Sequence, residues 1–600
     1  MISQAQEILK DVFGYDEFRP LQQQIIENVL NRKDTVAIMP TGGGKSICYQ
    51  IPALIFEGLT VVISPLISLM TDQIGQLHEL GIPTVVLNSS LTQDEYTHNI
   101  SMLKRGEAKM LYLAPETLVM DRTLQLLMSL NVACITIDEA HCISEWGHDF
   151  RPEYRQIAQI KKKFPNSVCI ALTATATPQV QTDIRTSLDF SDSETFLASF
   201  DRDNLFIEIA DKNSPLKQTV DYLNRFPEQS GIIYCLSRRQ VDELSADLSN
   251  KGFSVKPYHA GLTDEERHQN QQEFIRDDVQ IIVATVAFGM GINKPNVRFV
   301  LHHDLPKDIE SYYQQIGRAG RDGLQSHCML LFSYADIHKI KFFISQKSGQ
   351  EQRVATMNLN ALVSFAEADE CRRIPLLNYF GEVYHGANCE MCDNCLAGEV
   401  VLHDLTIPAQ KFLSCVKRTG ERFGAGHIID VLRGSRSQKI LQCGHHTLST
   451  YAIGKDLSKQ QWFHLSRQFI QKELLVQDMQ FGGLALTKKA WDVMLGEILF
   501  HGKIEELKRI KKSAAPKNVS NEDYDHTLFE ILRAKRKELA DAASIPPYAV
   551  FSDRSLIAMS VSLPETDGQF MKVHGVGAAK REKYGNIFMT LISEYTQSLN

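Results

Sequence analysis

Six hundred residues exceed what one hydrophobic core usually organises, so the chain should fold as about three to five units. Hydrophobic content of 43% and charged content of 23% belong to an ordinary globular protein and exclude wholesale disorder. The formal charge of −8 argues against a protein that coats polyanions through its overall field, although a motor that must release its track needs only a locally basic groove.

Residues 1–9 read as an amphipathic helix start without a basic leader, and no stretch reaches the apolar length that crosses a bilayer. A cytoplasmic protein with no membrane partner is expected. Short apolar, β-rich runs at Thr35–Met39, Thr60–Ser64, Val132–Ile137 and Val168–Leu172 read as buried parallel strands. A second set follows at Gly231–Cys235, Gln280–Ala284 and Val297–His302, with helical patterns at Arg238–Asn250 and Thr263–Phe274. Two α/β domains in tandem are therefore expected. Residues 206–215 carry charge and a turn signal and mark the boundary between them. After Phe343 the pattern turns helical as far as a cysteine cluster, and a mixed region runs from about 404 to 510. Lys511–Asn518 reads as an exposed linker, and Lys508–Lys512 as a solvated basic helix end or a nucleic-acid patch. A helical unit closes the chain. The expected division is 1–205, 206–343, 344–403, 404–510, a linker at 511–523, and 524–600.

After the first strand comes Pro40-Thr41-Gly42-Gly43-Gly44-Lys45-Ser46. The glycines let backbone N–H groups turn inward around phosphate oxygens, Lys45 supplies a cation to the outer phosphates, and the Ser46 hydroxyl can ligate Mg²⁺. The strict pattern asks for glycine where Met39 stands, so the loop alone also reads as a glycine-rich turn with an incidental lysine. A second element, Ile135-Thr136-Ile137-Asp138-Glu139-Ala140-His141, ends a later strand. Asp138 would hold Mg²⁺, and Glu139 would orient the attacking water. Either element alone could be a solvated strand end or a turn, but together they point to a nucleoside triphosphatase. The third lies in the other α/β half, in Gln314–Gly323. Arg318 and Arg321 share a face if this turn is helical, and a guanidinium from a second domain makes hydrolysis conditional on closure. Which of the two is the finger stays open.

Directly after the acidic box, a loop carries Trp146, His148, Phe150 and Arg151. Aromatics stack on unpaired bases with little sequence preference, so this loop can report single-stranded nucleic acid to the hydrolytic site; an aromatic cluster is ordinarily core. Downstream, Cys371 with Cys389, Cys392 and Cys395 can close a four-thiolate site with no open position, which reads as structural Zn²⁺ in preference to disulfides or an iron–sulfur cluster. The remaining cysteines, at 48, 134, 142, 169, 235, 328, 415 and 443, read as reduced thiols. Arg372 and Arg373 read as phosphate contacts or as a solvated helix.

Residues 10–340 resemble superfamily II helicases: besides the glycine loop, the Asp138–His141 box and the arginine pair, the chain carries Ser64-Pro65-Leu66, Ala114-Pro115-Glu116, Thr173-Ala174-Thr175, Ala284-Thr285 and Gly289-Met290-Gly291. Within that superfamily, Phe13–Gln22 is similar to the nucleobase element of RecQ helicases. The resemblance implies that Tyr15 stacks on adenine while Arg19 and Gln22 bond its edge. It also implies two tandem RecA-like parallel-sheet domains, a zinc-binding helical subdomain, a winged helix and a small all-α C-terminal domain. The last resembles the module shared by helicases and ribonuclease D, in which Tyr548 and Lys580 would meet single-stranded DNA; Tyr548 beside Pro546 and Pro547 also reads as a core cap. A RecQ-type ATP-dependent 3′-to-5′ DNA helicase of recombination, repair and the SOS response is the expectation. Its cofactors would be ATP, Mg²⁺ and Zn²⁺. Its partners would be single-stranded DNA, duplexes with single-stranded regions and a single-stranded DNA-binding protein, at the nucleoid. The rivals are an RNA remodeller of the same class and a non-hydrolysing DNA-binding scaffold, against which Lys45, Glu139 and Arg321 count.

Overall fold

Aliphatic and β-branched runs of four to seven residues, too short for stable helices, order the first half of the chain into two sheets. In this computed structural model the first sheet contains β1 (Thr35–Ile38), β2 (Leu59–Ile63), β3 (Thr84–Leu87), β4 (Met110–Leu113), β5 (Val132–Ile137), β6 (Val168–Thr173) and β7 (Glu194–Leu197). They lie in the order β3-β4-β2-β5-β6-β1-β7, all parallel. The second contains β8 (Leu205–Asp211), β9 (Ser230–Tyr234), β10 (Val255–Tyr258), β11 (Ile281–Ala284), β12 (Val297–His302) and β13 (Ser326–Phe332), in the order β10-β11-β9-β12-β13-β8 and again all parallel. Ligands of such sheets collect beyond the carboxyl ends of the strands. The structure describes residues 1–88, 91–147, 149–190, 194–288, 294–386, 388–397, 402–478, 483–502 and 524–599. Gly289-Met290-Gly291, His148, Phe481, Gly482 and the basic run and linker from 508 to 523 lie outside them.

Every strand expected from sequence is present, with ends shifted by no more than a residue. Residues 206–215 hold more than the turn signal read there: Leu205–Asp211 is β8, a strand of the second sheet paired with β13 from Ser326↔Leu205 to Phe332↔Asp211. Its charge misled because Glu208 is buried, held by Arg225 at 3.1 Å and His327 at 3.2 Å. A carboxylate paired in this way tolerates burial.

Met1–Ile337, Leu376–Cys392 and Lys517–Asn600 pack as one unit. Its C-terminal part is helical, with His526–Ala543, Asp553–Ser562 and Ala578–Leu599 closing on Leu528, Leu532, Phe551, Phe588 and Ile592. Arg536 is buried there because its guanidinium bonds Phe551 O at 2.9 Å and Asp553 Oδ1 at 2.7 Å.

His338–Pro375 with Asp393–Pro516 form the other unit. Here β14 (His403–Asp404) pairs with β17 (His501–Gly502), and β15 (Leu475–Gln477) forms a hairpin with β16 (Leu484–Leu486). The helices Thr406–Arg418, Ala425–Leu432 and Lys459–Gln471 precede that hairpin, the order of a winged helix. Ser458 starts the third helix through a capping box with Gln461, at 3.2 and 2.9 Å. Trp462 is fully buried at the centre, its indole N–H donating to Gly454 O at 2.7 Å.

Candidate functional site

The glycine loop joins β1 to the helix Ile47–Ile55. Gly42 and Gly44 have φ of +85° and +82°, the left-handed region where a side chain is strained, and a Cβ on Gly43 would meet Pro40 O at 2.9 Å. Position 39 needs no glycine because Met39 still continues the strand: its N–H donates to Thr173 O at 3.0 Å and its side chain is buried. Lys45 Nζ donates to Met39 O at 3.1 Å. Burial pushes its ammonium down, Glu139 and Asp138 oppose that, and Arg321 and Arg202 add to it. The Ser46 hydroxyl accepts from Gln73 Nε2 at 3.4 Å.

The expected base element is tied to the same loop. Gln22 Nε2 donates to Gly44 O at 2.9 Å, Gln22 Oε1 accepts from Arg19 N at 2.8 Å, and the Arg19 guanidinium donates to Gly42 O. Leu21, between them, is held at φ +67°. The Tyr15 ring centre lies 5.4 Å from that of His574.

At the carboxyl end of β5, Asp138 N donates to Ile63 O at 2.9 Å. Burial, then the Glu139 charge, pushes the Asp138 carboxyl up to about 7. Glu139 turns at φ +49°, a strained position for a side-chain residue at a site where strain often serves function. His141 Nδ1 lies 2.8 Å from Thr173 Oγ1 and 3.3 Å from Glu139 Oε2, so it joins the acidic box to the Thr173-Ala174-Thr175 run.

The helix Ile309–Ile316 ends before the arginines, which sit in the following turn and not on a helical face. That turn is pressed against the glycine loop. A Cβ on Gly42 would lie 3.5 Å from Arg321 Cα, and one on Gly317 would lie 3.2 Å from Thr41 Cβ. Arg318 is 8% exposed. Burial, then Arg318 and Arg202, pushes the Arg321 guanidinium down to about 9. Three cations thus crowd one spot on the cavity side of this turn, an arrangement that a polyanion relieves.

Arg202 was missed. Its guanidinium donates to Thr41 O in one direction and to Ala319 O at 3.2 Å and Gly320 O at 2.9 Å in the other, so it fastens the glycine loop to the arginine turn. In sequence it is one charge in Asp201-Arg202-Asp203-Asn204, with no local pattern to mark it. Arg202→Ala should lower ATP turnover by about tenfold, the effect of losing a charge-assisted contact that orients the loops. Steady-state turnover equal to the unmodified chain would count against that role.

Tyr15, Arg19, Gln22, Thr41, Gly42, Gly44, Lys45, Ser46, Asp138, Glu139, His141, Arg318 and Arg321 all line one cavity of about 910 Å³. Tyr548 and Lys580 line it as well. Beside it, Arg151 donates to Pro65 O at 3.0 Å, Phe150 lies under the Arg155 guanidinium at 5.3 Å, and Trp146 is half-buried. The aromatic loop is thereby linked to Ser64-Pro65-Leu66.

The ligand atoms of Cys371, Cys389, Cys392 and Cys395 lie within 4.8 Å of one another. A tetrahedral zinc with thiolates at about 2.3 Å needs sulfurs roughly 3.8 Å apart, so the set fits the ion. Arg372 is corrected: it faces neither phosphate nor solvent. It grips Asp393 at 2.9 and 3.0 Å and bonds the carbonyls of Phe365, Ala366 and Ala368 at 3.0–3.1 Å, capping the helix Gly349–Glu367.

Comparison with known families matches five models in chain order: a DEAD/DEAH box helicase over 19–184, a helicase conserved C-terminal domain over 211–323, RecQ zinc-binding over 334–396, an RQC domain over 399–511 and an HRDC domain over 525–592. The "ATP-dependent DNA helicase RecQ" of Haemophilus influenzae is 44% identical over 595 residues, covering 98% of this chain and 96% of that protein. The chain belongs to the RecQ family of DNA helicases. The Bacillus subtilis RecQ is 41% identical over the full length of both chains, and the "RecQ-like DNA helicase blm-1" of Caenorhabditis elegans is 34% identical over 660 aligned positions, covering 66% of that protein. The RecQ zinc-binding match spans Cys371 to Cys395, where the four thiols converge. Among the described residues no helix is long and apolar enough to cross a membrane.

Proposed function

We propose that this RecQ-family chain hydrolyses ATP in the cavity between the glycine loop and the arginine turn, and couples hydrolysis to 3′-to-5′ movement on single-stranded DNA and duplex unwinding in recombination and repair. One observation carries this reading: Arg321, from the second sheet, stands with its backbone against Gly42 of the first, so groups of both α/β halves surround one site. Tyr15, with Arg19 and Gln22, receives the base. The loop N–H groups and Lys45 hold the polyphosphate, Glu139 polarises the attacking water with His141 behind it, and Arg318 and Arg321 neutralise charge on the transferred phosphoryl group. Ser46 and Asp138 offer hard oxygen donors that would hold Mg²⁺, which neutralises phosphate oxygens when bound. Trp146, Phe150 and Arg151 sense the strand, and the division 1–205, 206–343, 344–403, 404–510 and 524–600 assigns motor, zinc, duplex-holding and terminal modules. A single-stranded DNA-binding protein as partner and a nucleoid location belong to this proposal because the track is DNA.

Assay of the full chain decides it. ATP turnover should rise with single-stranded DNA, and a duplex with a 3′ overhang should open while its 5′ counterpart does not. Turnover indifferent to DNA, or equal unwinding of a matched RNA duplex, would reject the reading.

A further inference from the structure

The C-terminal helical unit does not stand apart from the motor. Gly575 N donates to Gly14 O at 3.0 Å, and a Cβ on Gly14 would lie 2.7 Å from Gly577 N, so backbone meets backbone next to Tyr15. Lys583 pairs with Glu79 at 3.1 Å. Toward the second sheet, Lys537 Nζ reaches Asp278 and Arg276 O, each at 2.6 Å, and Arg276 donates to Ser544 O at 3.3 Å. The unit therefore touches both α/β halves on the side where the nucleotide cavity opens.

We propose that this unit completes the ATP site, with Lys580 and Tyr548 reaching bound nucleotide while the unit is docked. The inference rests on the ATP reading above. Both residues line the cavity that holds Lys45, Asp138 and Arg321, and about 910 Å³ remains open with the unit in place, the scale of a small-molecule site. The unit is thus a wall and not a plug. On the helix Ile67–Glu79, Gln73 bonds Ser46 and Glu79 faces Lys580 six residues on, roughly 9 Å along the axis at 1.5 Å per residue. Lys580 accordingly belongs to the Tyr15 end of the site, and Tyr548, close to Arg321, to the triphosphate end. Burial pushes the Lys580 ammonium down to about 8, only partly offset by Glu79, and the ammonium lies 5.8 Å from the Phe551 ring centre. A bound anion would offset the burial that Glu79 offsets only in part. Docked in this way, neither residue can meet DNA at the same time.

The test is kinetic, on the full chain with saturating single-stranded DNA. Lys580→Ala should raise the KM for ATP about tenfold, more than it lowers kcat, while affinity for single-stranded DNA in the absence of nucleotide holds; one charge-assisted contact is worth that much. Lys580→Arg should recover most of the loss. If Lys580→Ala lowers the melting temperature, Lys580→Met, which keeps the stem over Phe551, replaces it. An unchanged KM overturns the proposal, whether or not DNA affinity falls; a fall in DNA affinity alone would return the residue to DNA binding. An unmodified chain without DNA-stimulated turnover would instead sink the ATP-motor reading.

Discussion

Lys45→Ala is expected to abolish useful DNA-stimulated ATP turnover, a fall of about a hundred- to a thousandfold, and with it all unwinding. The size follows from where the ammonium sits. It lies in the field of Asp138, Glu139, Arg202 and Arg321, half-buried at the cavity wall, and its position is fixed by the carbonyl of Met39 at 3.1 Å. A donor preorganised in this way acts on developing charge without reorganisation, and removing one costs about 3–4 kcal/mol of barrier. Arg318 and Arg321 do not take its place, because they belong to the turn that follows the helix Ile309–Ile316 in the second α/β half, whereas Lys45 is anchored at the carbonyl of Met39. Folding should survive. Asp138, already pushed up to about 7, loses the cation that favoured its charged form and takes up a proton instead of remaining a buried, unpaired charge. Steady-state turnover with and without single-stranded DNA measures the outcome, and turnover near that of the unmodified chain would dismantle the site assignment.

What the sequence disclosed about this site follows from how local each signal is. Gly42 to Ser46 was readable because strand, loop and helix start are contiguous, and Asp138–Glu139 because an acidic pair closes an apolar strand. Strand β10 was not: Val255-Lys256-Pro257-Tyr258 contains a lysine and a proline, tolerated because it is an edge strand paired only with β11. Strand β8 was hidden by Glu208, whose partners Arg225 and His327 arrive from distant positions. Arg202 was invisible for the same reason, since its meaning arises only where Thr41 and Gly320 meet. Tyr548 and Lys580 were found as residues, yet sequence gave no hint that their cavity is the one containing Lys45. Side chains that act within one turn of their neighbours in sequence are legible; those whose partners lie a hundred residues away are not.

Cys392→Ser should strip the chain of its zinc and of its solubility together. The thiol is fully buried in a cluster of four, so no water can take its place without opening the fold. A hydroxyl is a poorer ligand that stays protonated, which leaves three thiolates with an incomplete tetrahedron. Structural zinc contributes on the order of 10 kcal/mol of apparent binding energy, comparable to the whole margin by which a domain stays folded. The damage should spread through Asp393, one residue on, whose carboxylate holds Arg372 at 2.9 and 3.0 Å; that guanidinium in turn caps the helix Gly349–Glu367. Metal analysis of the unmodified chain should find about one zinc per molecule, and the variant far less, with most of it in the insoluble fraction. A soluble variant that still carries a full equivalent of zinc would show that Cys392 is not a ligand, and a metal-free but stable parent would remove the centre altogether.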